Sequence, residues 1–107
     1  MLFYLKRIAK FALSYFFRHT GVPIKVGGKF WIRFESKYFR WFTASYEQDQ
    51  FEALKYIENA EGIAIDIGAH YGLYSLILAK YFNKMVVAFE PTPYSANILR
   101  RNIAYNK

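Results

Sequence analysis

The 107-residue chain has no cysteine. That absence excludes a disulfide framework, a thiolate metal site and a cysteine nucleophile, and it suits a reducing compartment such as the cytoplasm. Zinc fingers of the Cys2His2 type are excluded with it. Acidic residues are scarce where the chain begins. From Met1 to Ser45 nine bases face Glu35 alone, a net +8, whereas from Tyr46 onward seven acids and six bases leave −1. The overall +7 therefore belongs to the N-terminal part, and a charge run of this kind carries no evidence for a nucleic-acid fold by itself. Long uncharged stretches are missing from the same part. The run from Phe11 to Phe17 is far below the roughly 20 residues that cross a bilayer. A cleaved signal peptide also fits poorly, because charges interrupt the apolar stretch and no small-residue cleavage site follows. What the chain has in abundance is apolar surface: 54% hydrophobic and 21% aromatic residues, enough to offset the entropy of ordering. Its length suits one small core and leaves no room for two independent domains.

Three segments follow. Residues 1–20, MLFYLKRIAKFALSYFFRHT, read as a basic amphipathic helix, since Lys6, Lys10, Ser14 and Arg18 recur every four residues and the remainder is broadly apolar. Two readings stay open for it. Either it lies on an acidic membrane as a peripheral helix, or it docks on a partner or on the chain's own core. His19, near its end, reads as a solvated or capping residue.

Residues 21–61 read as a hairpin and a helix leading into the core. Gly27-Gly28 supplies the positive φ of a two-residue turn between Ile24-Lys25-Val26 and Lys29 to Phe34, with Phe30, Ile32 and Phe34 on one face. Trp31, Arg33, Tyr38, Arg40 and Trp41 interleave aromatics with bases, as a single-stranded nucleic-acid surface does. A hairpin with one buried face and snorkelling basic stems explains them without such a partner, and no nucleic acid is expected. Ser45 and Gln48 have capping-box spacing ahead of a stripe of Phe51, Leu54 and Ile57.

Residues 62–107 carry the chemistry. Ile63-Ala64-Ile65-Asp66-Ile67 is a short apolar run of the kind that forms a parallel strand covered on both faces. A carboxylate there is costly in a closed core, which places Asp66 at the carboxyl end of the strand, facing a cleft. Gly68-Ala69-His70-Tyr71-Gly72 follows. A helix then runs through about Phe82, burying Leu73, Leu76, Ile77 and Ala79 and stopping at Asn83. Met85 to Phe89 forms a second strand ending at Glu90, and Thr92 and Pro93 open another helix with Ala96, Leu99 and Ile103 inward. A β-α-β unit with a glycine turn after its first strand and an acid after its second binds adenosine-type ligands, the acid accepting from the ribose hydroxyls. Glu90 lies 22 residues beyond Gly68, near the expected offset of about 20. A dinucleotide turn has glycine where His70 stands. The imidazole would obstruct a pyrophosphate and Asp66 would repel it. S-adenosylmethionine has no phosphate, and its ammonium and sulfonium suit a carboxylate.

These residues resemble the FkbM-type S-adenosylmethionine-dependent methyltransferases, of the class I, Rossmann-like group. Asp66-Ile67-Gly68-Ala69-His70-Tyr71-Gly72-Leu73-Tyr74-Ser75 is similar to that family's first motif, Phe89-Glu90-Pro91 to its acidic segment, and Leu99 to Ile103 with Asn106 to the stretch after it. A looser likeness reaches back to Tyr46-Glu47. His70 departs from the pattern, many members having asparagine there. The resemblance implies a cofactor site in which Gly68 and Ala69 line the methionine portion, Asp66 takes its amino group, Glu90 holds the ribose, His70 donates to the cofactor or orients the loop, and Gly72 completes the turn; no metal is implied. The family's sheet has seven strands, so 62–107 corresponds to its first two β-α units only. The implied enzyme is a methyltransferase acting on a small molecule or glycan, here truncated and without its acceptor half, and the catalytic residue stays unassigned. Weak cofactor binding or none is expected of this chain alone. A tight strand-to-helix turn accounts for Gly68 and Gly72 without a ligand. Tyr74 and Ser75 read as helix packing and a local hydrogen bond, and Asn102 and Asn106 as structural residues. The alternative class is a non-catalytic module that binds a membrane surface or a partner. A half-sheet with uncovered edges also predicts self-association.

Overall fold

A computed structural model describes residues 1–38 and 47–107. In chain order it contains α1 (Leu2–Phe16), β1 (Val22–Val26), β2 (Phe30–Phe34), α2 (Gln48–Ala53), a 3-10 turn (Leu54–Ile57), β3 (Ala64–Ile67), α3 (Leu73–Tyr81), β4 (Val86–Phe89) and α4 (Pro93–Tyr105). The class is α/β, with one antiparallel and one parallel pair of strands.

β1 and β2 pair antiparallel with Val26 opposite Phe30 and Val22 opposite Phe34. Three residues thus separate the strands, one more than the expected two-residue turn. Gly27 and Gly28 do adopt positive φ, and Lys29 N–H donates to Val26 C=O at 3.1 Å; Lys29 is the additional residue. Strict alternation puts Val22, Ile24, Val26, Phe30, Ile32 and Phe34 on one buried face.

The outer edge of β2 is closed by side chains instead of a third strand. Tyr81 Oη accepts from Trp31 N–H and donates to Trp31 C=O, both at 2.7 Å. Asn106 accepts from Arg33 N–H at 2.8 Å and donates to Arg33 C=O at 2.6 Å. Asn102, fully buried, accepts from Glu35 N–H and donates to Tyr71 C=O, each at 2.8 Å. The Trp31 and Arg33 groups would otherwise be unpaired edge positions of β2. Because Arg33 bonds outward, its partner Pro23 occupies a position whose missing N–H is not needed by the ladder.

α3 forms a middle layer. Leu73, Leu76 and Ile77 join the hairpin's core together with Ile98 of α4, while Ser75 on its other side reaches β3. A helix so placed is apolar on nearly every side, as its sequence is. It ends where expected, with Asn83 at φ 51 and Lys84 N–H donating to Leu78 C=O at 3.1 Å.

β3 and β4 run parallel, with Asp66 opposite Ala88 and Ile67 opposite Phe89. Ala64, Asp66, Val86 and Ala88 turn toward the helices. Ile65, 59% exposed, and Ile67, 83% exposed, point the other way with Val87 and Phe89. The expectation of a strand covered on both faces is therefore corrected. α3 and α4 both cover one face, and no described residue covers the other.

Ser45, Arg40, Trp41 and Tyr46 lie outside the described residues, so the capping box falls there too. The helix that follows is shorter than its apolar stripe predicts: after Ala53 it tightens to a 3-10 turn, leaving Phe51 buried and Leu54 and Ile57 half-buried. Such tightening is common in a last helical turn. α1 stops at Phe16 instead of reaching Thr20, and none of its residues is buried. Among the described residues the body of the protein meets only the last turns of this helix, where Ala12, Leu13 and Ser14 are half-buried. The chain just after it is held by Phe17 against the core and by Tyr105 Oη donating to Arg18 C=O at 3.1 Å. Docking along its length on the chain's own core is thus overturned.

Candidate functional site

Parallel pairing brings the carboxyl ends of β3 and β4 side by side, and the loop after β3 is latched to the end of β4. Gly68 and Ala69 N–H donate to Phe89 C=O at 2.9 and 3.0 Å. His70 N–H donates to Glu90 Oε2 at 2.9 Å, and Thr92 N–H donates to Glu90 Oε1 at 2.8 Å. Glu90 thereby bridges the glycine loop and the start of α4. These donors, Thr92 N–H foremost, hold its carboxyl below the usual glutamate range, so it stays an ionised acceptor. Each oxygen retains a lone pair for a further donor. Thr92 occupies the N-cap position of α4, but its side chain makes no capping bond to the helix.

Asp66 accepts from Ser75 Oγ at 2.6 Å, the local hydrogen bond expected of Ser75. The carboxylate borders a cavity of about 190 Å³ that Gly68, Ala69, His70, Tyr74 and Glu47 also line. Gly68, at φ 77, has open space where a Cβ would stand. Gly72 does not line this cavity. It is the N-cap of α3 at φ 88, a backbone conformation that favours glycine, and a Cβ there would also have to push aside the Leu99 Cδ1 methyl. Glu90 borders a second cavity, of about 270 Å³, with Ala96, Leu99 and Arg100. The six candidates thus separate into an acidic loop cavity lined by Asp66, Gly68, Ala69 and His70, the Glu90 carboxylate beside a second cavity, and the packing glycine Gly72; the His70 backbone joins the first two.

Four lining residues, Glu47, Tyr71, Leu73 and Tyr74, were not among the candidates, and two of them are joined by a hydrogen bond. Tyr74 Oη donates to the Glu47 carboxylate and lies 2.7 Å from the Gln50 side-chain oxygen. The signal for Glu47 was the weak likeness at Tyr46-Glu47; for Tyr74, its place in the motif. Backbone strain points to the same place. Three non-glycine residues among those described have positive φ, and two of them, Glu47 at φ 45 and His70 at φ 52, line this cavity. Strained positions of this type cluster at functional sites. The His70 imidazole stacks on Tyr71 at 3.7 Å and is not used as a donor within the loop. Tyr71 in turn contacts Tyr38, whose hydroxyl shares a hydrogen bond with that of Tyr94.

Of the five residues that interleave aromatics with bases, Trp31, Arg33 and Tyr38 are described. Trp31 is exposed, Tyr38 is buried, and the Arg33 guanidinium donates to Gly21 C=O at 3.2 Å. His19 is solvated, accepting from Arg18.

The residues present fit one part of an S-adenosylmethionine molecule. Among the described residues the loop cavity is lined by Asp66 and Glu47 and by no lysine or arginine, which suits an ammonium and a sulfonium and opposes a pyrophosphate. Its volume is below the roughly 300 Å³ at which ordinary ligand pockets begin, room for only a portion of such a ligand. No group of three His, Cys, Asp or Glu side chains able to hold a metal occurs among the described residues. No protein-family model, no curated protein and no solved structure matches the chain.

Proposed function

We propose that residues 62–107 are the first half of a Rossmann-like domain that binds S-adenosylmethionine, and that the protein is a cytoplasmic methyltransferase of the FkbM type. The observation that carries the reading is Glu90, fixed at two points by His70 and Thr92 N–H beside an acidic glycine-loop cavity. On this reading Glu90 accepts from the ribose hydroxyls, Asp66 and Glu47 hold the ammonium, and Gly68 and Ala69 let the methionine chain lie against the backbone. The cofactor would supply a sulfonium methyl, transferred by in-line displacement to an oxygen or other nucleophile of a small molecule or glycan. Such a step depends chiefly on alignment. The proposal gives these residues the cofactor's half alone and assigns the acceptor's half to strands that the family places after its second helix.

Calorimetric titration of the full chain with S-adenosylmethionine tests it. Weak, saturable binding is expected, lost in Glu90→Ala and absent with NAD. Binding of NAD in preference, or S-adenosylmethionine binding indifferent to Glu90→Ala, would reject the reading.

A further inference from the structure

α1 is a helix of 15 residues that exposes nearly all of its large apolar side chains. Tyr4, Ile8, Phe11 and Tyr15 follow one another at helical spacing along one uncharged stripe, with Leu5 and Phe16 toward one side of it, while the exposed Leu2 and Phe3 fall among the lysines. Lys6, Lys10 and Ser14 form the opposite stripe. The body of the protein sits on that polar side, where Ser14 Oγ meets Ser36 Oγ at 3.3 Å. The apolar stripe is therefore presented outward, away from the protein.

Charge identifies what it meets. The first 34 residues contain seven bases and no acid, so any partner surface must be anionic as well as apolar. Nucleic acid offers the charge without an apolar bed. A bilayer with acidic headgroups offers both, and a helix about 22 Å long with tyrosines along its apolar side suits the headgroup boundary. No described helix is long and apolar enough to cross a membrane, which leaves the in-plane orientation. We infer that α1 docks the protein on an anionic lipid surface, with Tyr4, Ile8, Phe11 and Tyr15 inserted, Arg7 at the border of that stripe paired to headgroups, and Lys6 and Lys10 adding their charge to the attraction from the far side of the helix. The inference does not depend on the cofactor reading.

Flotation of the full chain with vesicles of phosphatidylcholine, or of phosphatidylcholine mixed with phosphatidylserine, tests it. Retention on the mixed vesicles only, weakened by salt, is expected. Ile8→Glu with Phe11→Glu should abolish it. Lys6→Gln, Arg7→Gln and Lys10→Gln together should lower partitioning about a hundredfold, at about fivefold for each base. These side chains are exposed, so unchanged thermal unfolding of the variants shows that the fold persists. No retention on either vesicle, equal retention on both, or retention unaffected by the double glutamate variant would overturn the inference. So would self-association that the glutamates abolish in the absence of vesicle binding, which would assign the stripe to a second copy of the chain.

Discussion

The two strand pairs of this protein are built from similar residues and end in different circumstances. In β1–β2 apolar residues alternate with Pro23, Lys25, Trp31 and Arg33, all of them outward, and the apolar face is closed by α3 and α4. In β3–β4 apolar residues occupy both faces, and the carboxylate of Asp66 lies on the covered side while Ile65 and Ile67 lie on the open one. An alternating strand needs a single cover. A continuous one needs two, and the described chain provides one. The hairpin's free edge is also satisfied, by Tyr81, Asn102 and Asn106, so the stable part of the molecule is centred on the hairpin and the helices.

Equivalent changes in the two pairs should therefore differ sharply. Ile32→Ala removes a side chain that is 1% exposed and should cost about 3–4 kcal/mol in urea unfolding, a large share of a stability on the order of 5–10 kcal/mol. A cost below about 1 kcal/mol would break the comparison. Gly72→Ala combines a left-handed backbone with overlap on Leu99 and should cost about 3 kcal/mol. Asn102→Ala strands Glu35 N–H and Tyr71 C=O, for about 2 kcal/mol, and should speed hydrogen exchange at Glu35 more than in β4. Ile67→Ala should change stability by no more than about 0.5 kcal/mol while reducing any self-association seen by size-exclusion chromatography. The smallest effect concerns pH. Glu90 has a lowered pKa in the folded state, so its contribution is complete above the unfolded glutamate's pKa and is lost as pH falls through the folded value. Its carboxyl carbon and the His70 and Thr92 amides should titrate together, below the ordinary glutamate range, with the midpoint absent in Glu90→Gln. Titration at or above that range would show that the two N–H bonds do not form.

Much of this was legible in residue order. Periodicity marked the hairpin's inner face, and Gly27-Gly28 its turn, because local backbone chemistry decides both. The apolar runs around Asp66 and Ala88 gave the parallel strands, and the offset from Gly68 to Glu90 placed both at neighbouring strand ends. Tertiary packing carried the rest. Nothing local distinguishes Gly72 as a contact for Leu99 from Gly72 as a ligand position. The pairing of Asn102 and Asn106 with the β2 edge spans 67 and 73 residues, beyond any pattern along the chain. The separation of Asp66 and Glu90 into two cavities, and the joining of Glu47 to Tyr74, arise only when α2 lies beside α3.

The proposed cofactor site comprises Asp66, Gly68, Ala69, His70 and Glu90, the cofactor half of a methyltransferase site on the reading above. It is tested most directly by following amide resonances of the full chain while S-adenosylmethionine is added. The account predicts saturable shifts at Gly68, Ala69, His70 and Thr92, none in β1–β2, and their loss in Glu90→Ala. Resonances at the loop that remain unmoved at millimolar cofactor would contradict it.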